Sequence, residues 1–234
     1  MTGALNNACT VLFSWGSRPC GPAVLQLRGF CPSCAGLLLT CTVIIFNTPA
    51  MPTAPGSNGT QTHDTLRRPT FTVHGIRHLS DSAFVVRFDR HALAFEPGQY
   101  VTVGSAESRE MREYSVYSPT SAPYLEILIK EVKRGIVSPR LARLIPGEPI
   151  AVDGPFGFFT LDDDWAEQEF LFVATGTGIS PFHSFVESYP GLDYRLLHGV
   201  RTAVEAYESA SYNQDRVIRC TSRDSTGTYA GREI

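Results

Sequence analysis

Arg112-Glu113-Tyr114-Ser115, with Gly135-Ile136-Val137-Ser138-Pro139 later in the chain, is the pair of stretches that decides how this sequence folds. Read as a strand, the first puts Arg112 and Tyr114 on one face and Ser115 on the other. An arginine can clamp a pyrophosphate through its planar fork, and a tyrosine can stack on a planar heterocycle. A serine hydroxyl can donate to or accept from a ring nitrogen. In the second stretch Ser138 suits an N-cap and Pro139 the first helical position, ahead of a helix over Arg140–Leu144. Free N–H groups and the helix dipole make such a start an anion site, and Gly135 lets backbone approach a phosphate closely. A diphosphate would fit between Arg112 and this helix start. Each piece taken singly also reads as an exposed arginine on a strand, or an ordinary capped helix.

Around these pieces the pattern is regular from Pro69 onward. Phe71–Val73, Ala83–Phe88, Tyr100–Val103, Arg112–Val116 and Leu125–Val132 read as short strands, several alternating apolar and polar side chains. Pro97-Gly98, Ser118-Pro119, Pro146-Gly147 and Gly154-Pro155 punctuate them, which suggests a small antiparallel barrel. Past Trp165 the pattern changes. Glu169–Ala174 is an apolar strand ending in a glycine-rich turn. Ser180–Tyr189 puts Phe182, Phe185, Val186 and Tyr189 on one helical face. Tyr194–Leu197 and Arg216–Cys220 read as strands, and Thr202–Glu205 fits a capping box opening a short helix. Alternation of strand and helix implies a parallel sheet.

Composition limits the function. The chain has 234 residues, 43% of them hydrophobic and 18% charged, ordinary values for a globular protein. A net charge of −3 argues against a broad nucleic-acid footprint. Five of the six cysteines, Cys9, Cys20, Cys31, Cys34 and Cys41, precede the regular part, and only Cys220 follows. Cys31 and Cys34 form one CxxC pair, but neither a second pair nor suitably spaced histidines accompany it, so no metal is expected. Ala35–Phe46 is apolar but too short for the roughly 20 residues of a membrane-spanning helix. Asn47–Arg68 has a linker's composition, and Asn58-Gly59-Thr60 fits a glycosylation sequon. Residues 1–66 are expected to be an atypical, disordered segment or a start assigned too far upstream, with Met51 as the initiator.

Pro97-Gly98-Gln99-Tyr100, Arg112–Ser115, Gly135–Ser138, Gly154-Pro155-Phe156-Gly157-Phe158, Val173–Phe182 and His198-Gly199-Val200-Arg201 resemble, in order, the motifs of the ferredoxin/flavodoxin–NADP reductase family. The resemblance runs from about Arg67 onward. It implies a β + α/β fold: an antiparallel six-stranded Greek-key FAD-binding barrel at 67–164, then a partial Rossmann-like, parallel-sheet NADP-binding domain at 165–234. It implies that Arg112 meets the FAD phosphate and Tyr114 the flavin ring. Ser115, the catalytic candidate, would stand near flavin N5, with Glu113 on the same strand. Gly135 and Ile136 lead into Val137 and Ser138, whose backbone and hydroxyl would donate to the pyrophosphate.

On the nicotinamide side, Thr175-Gly176-Thr177-Gly178 follows a strand and opens a helix, the context that strengthens a glycine motif. Pro181 stands where a strict dinucleotide fingerprint has its third glycine. The resemblance assigns this loop to NADP(H). Ser222 and Arg223 follow the third strand and could bind a 2′-phosphate, joined by Arg232 and Arg201. Lys130, Lys133, Arg134, Arg140 and Arg143 could steer an acidic ferredoxin or flavodoxin, or form a solvated basic edge. The family continues past the point where Ile234 ends this sequence, so the chain is expected to be C-terminally incomplete. The expected activity is electron transfer between NADPH and ferredoxin or flavodoxin by a cytoplasmic monomer. An oxygenase reductase component and a non-catalytic flavin-binding fragment are the alternatives.

Overall fold

The computed structural model describes residues 23–29, 39–45, 69–108, 110–224 and 229–230. Cys31, Cys34, Met51, the Asn58 sequon and Arg232 lie outside them. Inside the first 66 residues, β1 (Ala23–Gly29) and β2 (Leu39–Ile45) form an antiparallel pair.

The next six strands are β3 (Thr70–Ser80), β4 (Ala83–Asp89), β5 (Tyr100–Ser105), β6 (Arg112–Ser115), β7 (Tyr124–Lys130) and β8 (Pro149–Phe156). They pair antiparallel in the order β6-β5-β8-β3-β4-β7, a Greek-key arrangement. A bridge between Val116 and Ile127 brings the two ends of that order together, giving the expected barrel. The sixth strand, β8, has no counterpart among the strands read from the sequence. It starts at Pro149 and carries Gly154-Pro155, so turn residues mask a strand pattern that is buried only over Ile150–Val152.

The second lobe is a parallel sheet. β9 (Glu169–Thr175) pairs with β10 (Asp193–Val200), and β10 with β11 (Val217–Thr221). β12 (Tyr229–Ala230) extends one edge and β2 the other. Helix α2 (Ser180–Ser188) is the right-sized crossover from β9 to β10, and its Phe182 and Phe185 are fully buried. The α/β character therefore stands, with two corrections. The capping box at Thr202 does not form: Asp224 Oδ2 accepts the Ala203 N–H at 2.7 Å. Glu205 instead accepts from the Arg201 N–H and pairs with Lys130. The stretch to Arg216 is a run of three single 3₁₀ turns rather than a helix, tied by local bonds such as Asn213 Oδ1 to the Asp215 N–H.

Period-two alternation in β4 and β7 feeds two cores at once. Phe84, Val86, Phe88, Leu125, Ile127 and Ile129 fill the barrel interior. Ala83, Val85 and Leu128, on the opposite face, join Phe172, Phe182, Phe185 and Tyr194 of the second lobe. That double burial explains why both strands look almost continuously apolar.

Gly98 closes the barrel beside this junction. Its φ is +91°, and a Cβ there would lie 1.8 Å from the Phe159 carbonyl oxygen, so no other residue fits without backbone movement.

Candidate functional site

Strand β6 carries the first cluster. Its register is Val103↔Arg112, Thr102↔Glu113, Val101↔Tyr114 and Tyr100↔Ser115. Val101 and Val103 are buried in the barrel, so Arg112 and Tyr114 share their face at its rim, while Glu113 and Ser115 take the other. Arg112 is exposed and lies along its own strand end, donating to the Met111 carbonyl at 2.7 Å and to Glu110 at 3.3 Å. Those neighbours are local and solvated, so an anion would displace them at little cost. Tyr114 is half-buried against the barrel core. Burial pushes its hydroxyl up to about 12, opposed by the nearby Arg112 charge, so the phenol stays neutral at physiological pH. The Ser115 hydroxyl has no hydrogen-bond partner among the described residues, which leaves both its proton and its lone pairs available.

The second cluster surrounds α1, a single turn at Ser138–Leu141. Ser138 does not cap it. Val137 holds the cap position without a side-chain bond, and the Ser138 hydroxyl accepts the Val132 N–H at 3.0 Å. This corrects the expected N-cap and shortens the expected helix. The hydroxyl proton of Ser138 remains free to donate, and the N–H groups of Val137 and Ser138 bond to no other described residue. Gly135 forms a tight turn, its N–H donating to the Val132 carbonyl at 2.6 Å, and Ile136 projects into solvent. Strands β6 and turn α1 both lean on β5. Tyr114, Val137 and Leu141 belong to one apolar cluster. A cleft of about 510 Å³ opens between the end of β5 and α1, lined by Ser105, Glu107, Arg140, Arg143, Leu144 and Glu148.

The third cluster lies at the carboxyl ends of β9, β10 and β11, where open parallel sheets take ligands. Thr175 ends β9, and Gly176–Ile179 make a 3₁₀ turn into α2, with Pro181 in its first turn. Gly176 has φ +51°, and a Cβ on Gly176 or Gly178 would meet nothing within 4 Å, so open space lies above the loop. Arg201, Ser222 and Arg223 come together at the same end: Ser222 N–H donates to the Val200 carbonyl at 3.1 Å and Arg223 N–H to the Arg201 carbonyl at 2.8 Å. Arg201 and Arg223 are exposed.

A residue quoted in a motif from the sequence, but given no role there, supports the loop. His198 is buried beneath it, and its Nε2 lies 2.9 Å from the Gly176 carbonyl. A carbonyl only accepts, so Nε2 carries the proton. Burial holds the imidazole below the usual histidine range, favouring this neutral form. Its signal was the alternation in β10, where Tyr194, Leu196, His198 and Val200 all point inward. Lys130, read as either a steering cation or part of a solvated basic edge, is paired with Glu205 at 3.1 Å.

An antiparallel Greek-key barrel carries a parallel sheet behind it, and residues 71–161 match the family model described as the oxidoreductase FAD-binding domain. The chain resembles the ferredoxin–NADP reductase family over that domain and part of the sheet behind it. It is 34% identical to the flavodoxin/ferredoxin–NADP reductase of Rhodobacter capsulatus across 57% of this chain and 53% of that protein. It is 33% identical to the ferredoxin–NADP reductase of Azotobacter vinelandii across 58% and 56%. The chain thus spans about half the length of the curated relatives it matches. A solved ferredoxin NADP+ reductase from Neisseria gonorrhoeae, with bound FAD and NADP, superposes with a TM-score of 0.63. That match covers 71% of this chain and 74% of the other at 23% identity, and bears on the fold.

Proposed function

We propose that this chain holds FAD on the barrel rim and passes electrons between NADPH and a ferredoxin or flavodoxin. The observation that carries the reading is the convergence on β5: β6 brings Arg112, Tyr114 and Ser115, and α1 brings the N–H groups of Val137 and Ser138, which bond to nothing among the described residues. The donor set fits a flavin dinucleotide, with a guanidinium and two amides for a diphosphate, a neutral phenol for a ring face, and a free hydroxyl for a ring nitrogen. Bound FAD would supply hydride acceptance and one-electron transfer. The chain's part is placement. Arg112 and α1 hold the diphosphate, Tyr114 fixes the ring plane, and Ser115 offers a hydrogen bond at the reacting edge. Thr175, Gly176, Thr177 and Gly178 leave room for a second dinucleotide, while Arg201, Ser222 and Arg223 favour one bearing a 2′-phosphate. The domain boundaries at 67–164 and 165–234, a cytoplasmic location and a monomeric state belong to the same reading.

Purified protein should be yellow with an FAD spectrum, and NADPH should bleach it faster than NADH. Colourless protein that takes up no FAD would remove the reading. Yellow protein that NADPH does not bleach would leave flavin binding alone.

A further inference from the structure

The run of turns between β10 and β11 reaches back to the barrel through two carboxylates, Glu205 on Lys130 and Glu208 on Arg77 and Tyr117. The Glu208 backbone sits at φ +45°, ψ 44°, a left-handed conformation that side-chain-bearing residues rarely adopt. Such an outlier marks a residue whose surroundings dictate its place. The carboxylate is divided between two barrel groups. Oε2 accepts the Tyr117 hydroxyl at 2.5 Å, and Oε1 takes the Arg77 guanidinium. Burial holds the Tyr117 phenol above the ordinary tyrosine range, so it remains a donor.

The partners of Glu208 link the two halves of the site. Tyr117 lies two residues past Ser115. Its ring stacks on His183 of α2 with centroids 3.8 Å apart and planes 12° from parallel. His183 Nδ1 donates to the Tyr117 carbonyl at 2.8 Å, and its Nε2 lies 3.9 Å from Glu208. The Ser184 hydroxyl donates to the Ser118 carbonyl at 2.8 Å, and the Thr120 N–H to Ser188 Oγ at 3.0 Å. Helix α2 itself begins where the glycine loop ends. The segment after the flavin-side strand is therefore bonded directly to the helix after the nicotinamide-side loop, and Glu208 ties down the residue at the centre of that joint.

Resting on the function proposed above, we infer that Glu208 is a positioning residue: its carboxylate, held on a strained turn, clamps Tyr117 and Arg77 and so fixes the parallel-sheet lobe, and the dinucleotide it carries, against the flavin edge at Ser115. The clamp acts through Tyr117 and touches neither cofactor. Proximity is steep in its effect on rate, so a small loosening lowers turnover more than binding.

The test uses the whole 234-residue chain with two substitutions, Glu208→Gln and Glu208→Gly. Glycine relieves the backbone strain while deleting the clamp, so a merely local role predicts a chain at least as rigid as the original. The expected result for both is amide exchange roughly tenfold faster in residues 115–120 and in α2 together, the size of losing charge-assisted hydrogen bonds. NADPH-dependent flavin reduction should lose kcat several-fold, with KM changing by less than about twofold. Unchanged or slower exchange in the glycine variant would overturn the inference, as would faster exchange with kcat intact. If the unsubstituted chain is not reduced by NADPH, the functional reading fails, and the exchange data still decide whether the clamp exists.

Discussion

Arg112 holds no buried partner among the described residues, so its replacement by leucine should leave folding untouched and act on the ligand. FAD affinity should fall roughly tenfold to a hundredfold, as for loss of charge-assisted hydrogen bonds to a phosphate, measured by flavin fluorescence titration. His198 acts through the loop and through pH. Its pKa in the folded chain is lowered from the ordinary 6.5, so the unfolded chain binds the proton more readily. Its contribution to stability is whole above about pH 6.5 and is lost as pH falls toward the folded value. Thermal melts across that window should show the loss, and His198→Asn should flatten it. The placement of Arg112, Tyr114 and Ser115 on one strand was legible in the sequence because the pattern of a strand is local. Glu208 was not, because its partners Arg77 and Tyr117 are brought to it only by the packing of the two lobes.

At the scale of elements, turns were legible where steric necessity wrote them and illegible where polar side chains had choices. Pro97-Gly98 announced a turn that the structure makes obligatory. Gly98→Ala should cost about 2–4 kcal/mol in chemical denaturation, since both the positive φ and the Phe159 carbonyl oppose a methyl group. Ser138 and Thr202 looked like caps, yet the Ser138 hydroxyl accepts the Val132 N–H instead, and Asp224 accepts the Ala203 N–H at the turn that Thr202 precedes. Strand β8 was hidden by its proline and glycine. Asp89 shows how strand ends are pinned: it accepts from the Thr72 N–H at 2.9 Å and pairs with His74 at 2.8 Å. Its pKa is lowered from 3.8 to about 2, chiefly by the His74 bond. That contribution is present above about pH 4 and disappears between 4 and 2, and Asp89→Asn should remove the pH dependence over that interval.

Across the whole molecule, the two lobes share one of its two cores, with Val85 and Leu128 facing Phe172 and Phe182. Phe182→Ala should cost about 3–5 kcal/mol, and the melt should stay a single transition because barrel side chains lose packing with it. Sequence periodicity showed that the strands were apolar, but it could not say that alternate residues of β4 and β7 serve different cores. That division governs how such a protein can be taken apart. A barrel severed after residue 164 would present the outward row of β4 and β7 to water as a sticky stripe, inviting precipitation. Grafting on a foreign second lobe with a different nucleotide preference would succeed only if its helix brought an aromatic pair shaped to that same stripe.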